Sequence, residues 1–142
     1  MTLAEIAEEA RRELGAGLVT AMRFDEASMT VRRVFSSNEA AYPVGGSKPK
    51  RDTKWGRHVL EEKRVFVGEG EAAIRTMFDD ADLILSLGQR AIVNVPLLRP
   101  LIHGGICIGT LNVLVPRERW RPEEVESVKR LGESAAAAVM AQ

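Results

Sequence analysis

Apolar residues recur along the chain in two rhythms, one helical and one extended. Leu3, Ile6, Ala7, Ala10 and Leu14 fall at helical spacing, with Glu5, Glu8, Glu9, Arg11 and Arg12 between them. That pattern predicts an amphipathic helix of about three turns. Thr2 is placed to cap its start, and Gly15 or Gly17 to end it. Two β-rich runs follow, Leu18–Phe24 and Met29–Ser36, and the turn cluster Asp25–Ser28 between them predicts a hairpin. Arg23, Arg32 and Arg33 suggest that parts of this hairpin touch water.

The rhythm breaks from Asn38 to Arg51, where Pro43, Gly45, Gly46, Ser47 and Pro49 predict a loop. Loops of such length are usually functional or disordered. Asp52 or Thr53 would cap a helix over Thr53–Arg64, with Trp55, His58, Val59 and Glu62 on one face. A short strand at Val65–Val67, a break at Gly68–Gly70 and two short helices at Ala72–Phe78 and Ala81–Leu87 complete an insertion.

The longest largely apolar stretch is Arg90–Val115, rich in Ile and Val, whose stiff side chains suit a pleated sheet. Arg99, Pro100, His103, Gly104 and Gly105 interrupt it, so it reads as two strands, Ala91–Leu97 and Gly105–Val115. The alternation expected of a half-wet strand is blurred in both, which predicts cover on each face. After Trp120 and Pro122 comes a final helix with an apolar stripe of Val125, Val128, Leu131, Gly132, Ala135 and Val139. The order predicts one α+β domain over residues 1–142. The terminal helices would lie on one sheet face and the insertion on the other.

Charge and composition narrow the function classes. The formal net charge is zero, so no global field draws the chain to nucleic acid or an anionic membrane. No apolar run reaches the roughly 18–20 residues of a membrane span, and the acidic amphipathic start differs from a secretory signal. A cytoplasmic protein is expected. A single cysteine, Cys107, leaves no internal disulfide and no multi-cysteine metal site.

Three segments then carry a resemblance: Val93-Asn94-Val95-Pro96-Leu97, Gly109-Thr110-Leu111-Asn112-Val113, and the closing helix from Pro122. Together the chain resembles a GAF domain over its whole length. It is similar, more narrowly, to free-standing bacterial GAF proteins with the YPVGGSKP loop that starts at Tyr42 and the WGRHVLEE segment that starts at Trp55. The resemblance implies an antiparallel sheet of five or six strands, with the N- and C-terminal helices on one face. It also implies a small-molecule site on the other face under the insertion, where family ligands include cyclic nucleotides, bilins, haem and amino-acid-like molecules. Terminal helices that pair between subunits are a further implication. A homodimer is expected through Leu3, Ile6, Ala10, Val125, Val128, Ala135 and Val139, with a possible second protein partner to receive a signal.

Some free-standing GAF proteins reduce free methionine sulfoxide, but with more than one cysteine. A catalytic thiolate there forms a sulfenate that a second thiol resolves. Here Cys107 stands alone between Ile106 and Ile108, and a buried free cysteine behaves as a small hydrophobe. No nucleophile–base pair is recognisable, so no catalysis is expected. A lone thiol on a buried strand also argues against covalent bilin attachment. No cofactor is expected; His58 and His103 are weak grounds for haem or metal.

The insertion carries the stronger signal. Residues 44–64 hold Lys48, Lys50, Arg51, Lys54, Arg57, Lys63 and Arg64 against three acids, while residues 65–82 hold Glu69, Glu71, Asp79, Asp80 and Asp82 against Arg75. One reading is a clamp, with Lys48 and Arg57 on a carboxylate or phosphate and Asp80 on an amine or ring nitrogen. The other is that the two halves simply pair at the surface. Tyr42 and Trp55 either stack on a planar ligand or pack the loop down. Asn94 and Asn112 are polar residues on otherwise apolar strands, and buried amides need partners. The expected ligand site is therefore Tyr42, Lys48, Trp55, Arg57, His58, Asp80, Asn94 and Asn112, for an anionic or planar molecule. A structural docking module is the competing expectation, and it requires a filled core with no cavity near Trp55.

Overall fold

The computed structural model describes residues 1–101 and 104–142. The expectation made for His103 lies outside the described residues. Helix α1, Leu3–Leu14, starts at Thr2, whose Oγ1 accepts from the Glu5 N–H while the Glu5 carboxylate accepts from the Thr2 N–H. This reciprocal box satisfies two otherwise unpaired donors. Gly15, at φ 68°, ends the helix in the left-handed conformation that glycine tolerates.

Strands β1 (Leu18–Asp25) and β2 (Thr30–Ser36) form the expected hairpin. The expected loop after it contains a short edge strand, β3 (Ser47–Pro49), paired to Thr30–Arg32. Gly45 and Gly46 exchange backbone hydrogen bonds with Arg33 and extend this contact. Glycine and proline hid the strand, because both are rare within strands and proline is tolerated at an edge.

The helix expected over Thr53–Arg64 is a π-helical segment, Gly56–Glu61. Its wider closure is visible in the Glu62 N–H donating to the Arg57 carbonyl at 2.8 Å. The change of period moves Trp55, Val59 and Leu60 onto the buried face and leaves Glu62 exposed. Thr53, not Asp52, caps it: Thr53 Oγ1 accepts from the Gly56 N–H at 2.9 Å and donates to the Lys50 carbonyl at 2.8 Å.

The remaining elements are β4 (Phe66–Glu69), α2 (Glu71–Met77), α3 (Ala81–Ser86), β5 (Ala91–Leu101), β6 (Gly104–Val115) and α4 (Pro122–Met140). Among the described residues the strands form one antiparallel sheet in the order β3-β2-β1-β6-β5-β4. The pair β5–β6 is thus inner, and residues 91–97 and 109–115 are buried on both faces.

Alternation sorts the side chains. Val19, Ala21, Val93, Val95, Leu97, Leu111, Val113 and Val115 meet α1 and α4 in one core. Leu18, Ile92 and Leu114 meet Tyr42, Ile74 and Ile84 in a second core beneath the insertion. Between Leu97 and Leu98 the register slips, leaving Ile108 as the extra residue of a bulge. The slip keeps Ile108 against the helical core and turns Cys107 toward Trp55, Phe24 and Met29.

The residues expected at a subunit contact are buried within one chain instead. Ile6, Ala10, Val128, Ala135 and Val139 are 0 % exposed and Leu3 is 6 % exposed within one chain, and Val125 packs against the same core. Both apolar stripes are spent on the sheet. The outward faces of the two helices carry Glu5, Glu8, Arg11, Arg12, Glu126, Lys129, Arg130 and Glu133 instead. No described helix is long and apolar enough to cross a membrane.

Candidate functional site

Three neighbouring strands set a polar row into the apolar floor beneath the insertion. Thr20 pairs across from Asn112, and Asn112 across from Asn94. All three side chains are buried. Trp55, held over the row by the π-helical segment, donates its Nε1–H to Asn94 Oδ1 at 3.1 Å. An indole can only donate, so this contact fixes which way the Asn94 amide faces. Asn94 Nδ2 then donates to Asn112 Oδ1 at 2.7 Å, and Asn112 Nδ2 donates to Thr20 Oγ1 at 3.0 Å. The chain of donors ends at the Thr20 hydroxyl, whose own proton has no acceptor among the described residues.

Above this row lies a cavity of about 80 Å³. Its walls come from β2, the loop before β3, the π-helical segment and the start of α3. Tyr42 donates its hydroxyl to Asp80 Oδ2 at 2.6 Å, tying the loop to α3. Burial, then this bond to Asp80, pushes the Tyr42 phenol well above its ordinary range. Lys48 Nζ donates to Asp79 Oδ1 at 2.6 Å and makes a second tie. The same bond holds the Asp79 carboxyl below its usual range. Between the two ties the loop closes over the sheet.

Two further cations line the cavity. The Arg33 guanidinium sits 4.8 Å over the Tyr42 ring, and its Nη1 donates to the Pro43 carbonyl at 3.1 Å. Its Nε is buried with no partner. Lys50 Nζ lies 5.1 Å over the Trp55 ring, a cation–π contact. Burial pushes the Lys50 ammonium toward deprotonation, and neighbouring Lys48 adds to this. Gly56 makes the placement possible, because a Cβ there would stand 2.3 Å from the Lys50 carbonyl oxygen.

Of the eight residues expected from the sequence, Tyr42, Lys48, Trp55, Asp80, Asn94 and Asn112 line this cavity. Arg57 and His58 do not: Arg57 faces solvent, and the His58 ring packs edge-on to Phe66 at 5.8 Å. His58 Nε2 lies 2.9 Å from the Val65 carbonyl, and Nδ1 lies 3.4 Å from Arg64. The expected clamp of Lys48 with Arg57 is therefore not assembled, because Arg57 stands two residues after buried Trp55 and so on the opposite side of the helical turn. Thr20, Arg33 and Lys50 were missed. The signal for two of them was present, because Thr20 alternates with Leu18 and Met22, and Arg33 alternates with Val31.

Cys107 offers little chemistry. It is buried, with Sγ 3.4 Å from the Gly109 carbonyl, and burial pushes its thiol up. Reactive cysteines show the opposite shift. Among the described residues no group of three or more His, Cys, Asp or Glu side chains could hold a metal.

Similar folds occur among solved structures. The chain is similar to the GAF domain of a two-component sensor histidine kinase from Bacillus halodurans, at 13 % identity and a TM-score of 0.70, covering 99 % of this chain and 95 % of that one. It is similar to the GAF domain/HD domain protein from Geobacter sulfurreducens, at 12 % identity and a TM-score of 0.73, covering 98 % and 90 %. It is also similar to a free methionine-R-sulfoxide reductase from Neisseria meningitidis, at 18 % identity and a TM-score of 0.70, covering 98 % and 76 %. At these identities the likeness is one of fold. No curated protein matches the chain significantly by sequence. The family model for the GAF domain matches residues 1–139. With that match over nearly its whole length, the chain belongs to the GAF domain family.

Proposed function

We propose that the chain is a sensory module that binds a small molecule in the cavity between the sheet and the insertion, and that it catalyses no reaction. One observation carries the reading. The sheet places Thr20, Asn112 and Asn94 in a buried row under Trp55, and a cavity opens above them. A docking module with a plugged core has no use for either feature. The two ties, Tyr42 to Asp80 and Lys48 to Asp79, join the halves of the insertion across that cavity. A ligand that alters the ties changes the shape of the outer surface, and this is how occupancy would be passed to a protein partner.

The methionine sulfoxide reductase from Neisseria meningitidis shares the fold, but a reductase reading needs a resolving thiol that this sequence lacks. Native mass spectrometry against panels of nucleotides, haem, amino acids and small organic acids tests the proposal. It should show retained ligand that is lost in Trp55→Ala and Asn112→Leu. No adduct from any panel, with both variants folded, would contradict it.

A further inference from the structure

We propose that the cavity takes a small oxyanion, a carboxylate or an inorganic oxyanion of about three or four non-hydrogen atoms, held by Arg33, Lys50 and Thr20. This rests on the cavity being the ligand site and adds the chemical class of the ligand.

Size comes first. At about 80 Å³ the cavity is smaller than the roughly 150 Å³ void that accepts benzene. A nucleotide, haem or bilin would extend well beyond this volume. Charge comes second. The lining holds Arg33, Lys48 and Lys50 against Asp80. Lys48 is already paired to Asp79 just outside the lining. Neither Arg33 nor Lys50 makes an ion pair among the described residues. One Asp80 oxygen accepts from Tyr42. The balance left facing the cavity is positive, which disfavours a cationic guest.

Hydrogen-bonding capacity comes third. Arg and Lys side chains only donate. The buried Arg33 Nε–H has no acceptor, Lys50 Nζ has only an aromatic face, and the Thr20 proton is unspent. A site short of acceptors, with surplus positive charge and room for a few atoms, is complementary to an oxyanion. Asp80 restricts the guest further, because a second negative charge would meet its carboxylate. Monoanions are therefore favoured over sulfate.

Isothermal titration of the full chain at constant ionic strength tests this, with acetate, nitrate, sulfate and the neutral acetamide as probes. Acetate or nitrate should bind saturably, and the stronger of the two names the organic or inorganic source. Arg33→Gln and Lys50→Gln should each weaken binding at least about tenfold, the scale of a lost hydrogen bond to a charged group. Lys54→Gln, an exposed residue away from the cavity, should not change it. Arg33→Lys and Lys50→Arg keep the charge and serve where the glutamine variants misfold. Acetamide binding as tightly as acetate would overturn the oxyanion assignment while leaving the cavity as a ligand site. No anion binding, or binding unchanged in all four Arg33 and Lys50 variants, would overturn it as well.

Discussion

Asn94 is the residue on which the floor of the cavity depends. It accepts from Trp55 and donates to Asn112, so truncation strands a donor and an acceptor in a buried site. Asn94→Ala should cost about 1–3 kcal/mol in urea unfolding, the desolvation cost of unpaired buried groups. Lys50 sets the pH response. Its folded value lies below its unfolded one, so keeping it charged costs stability at pH values below the folded value. That cost disappears as pH rises toward the unfolded value. An anion needs the charged form, so acetate affinity should fall as pH rises through the lowered Lys50 value. The groups that act on Lys50 there are Lys48 and Arg33, which oppose its charge, and Asp79 and Asp80, which favour it. A flat profile from neutral pH to the ordinary lysine range would count against Lys50 as a ligand. Cys107 should resist a thiol probe in the native state and react at the rate of unfolding. Fast native labelling would contradict its burial.

At the scale of elements, what could be read from the sequence follows the strength of the period. Helix α1 and α4 were legible because apolar residues recur at three and four over several turns, with Thr2 and Pro122 marking their starts. Strands β5 and β6 were legible from their β-branched content, but β5 continues to Leu101 through Arg99 and Pro100, which read as a break. The π-helical segment was not legible, because a single π turn leaves no repeated spacing in twelve residues. The longer turn places His58 against Phe66, away from the cavity. Strand β3 was hidden by Gly45, Gly46 and Pro49, and with it the path that brings Lys50 over Trp55. Gly56 holds these pieces together, because the Lys50 carbonyl occupies the space a side chain would need. Gly56→Ala should therefore destabilise by about 1–3 kcal/mol, as overpacking does. It should also shift Trp55 fluorescence. Wild-type stability and emission would show that the segment yields without strain.

Over the whole molecule, the division of labour between sheet faces was legible, and what covers the apolar helix stripes was not. An apolar helical stripe predicts burial but does not say against what. Here Val128, Ala135 and Val139 are consumed by the chain's own sheet. The outer surface of the same helices is mainly charged, apart from Ala137 and Met140 near the end of α4. The other face gathers polar residues from β1, β2, the loop before β3, β3 itself, the turn into α3 and the β5–β6 pair around a space of a few atoms. Such convergence is invisible in a linear pattern, because Arg33 on β2 meets Lys48 and Lys50, on and just after β3, only through the pairing of those two strands. The claim that this space binds a ligand is tested most directly by nitrogen–proton NMR of the Trp55 indole and the Asn94 and Asn112 side-chain amides. During titration with acetate, nitrate and a fragment panel, those signals should shift and saturate while the Trp120 indole stays in place. If no compound moves them, or if Trp120 moves in step, the cavity is not a binding site.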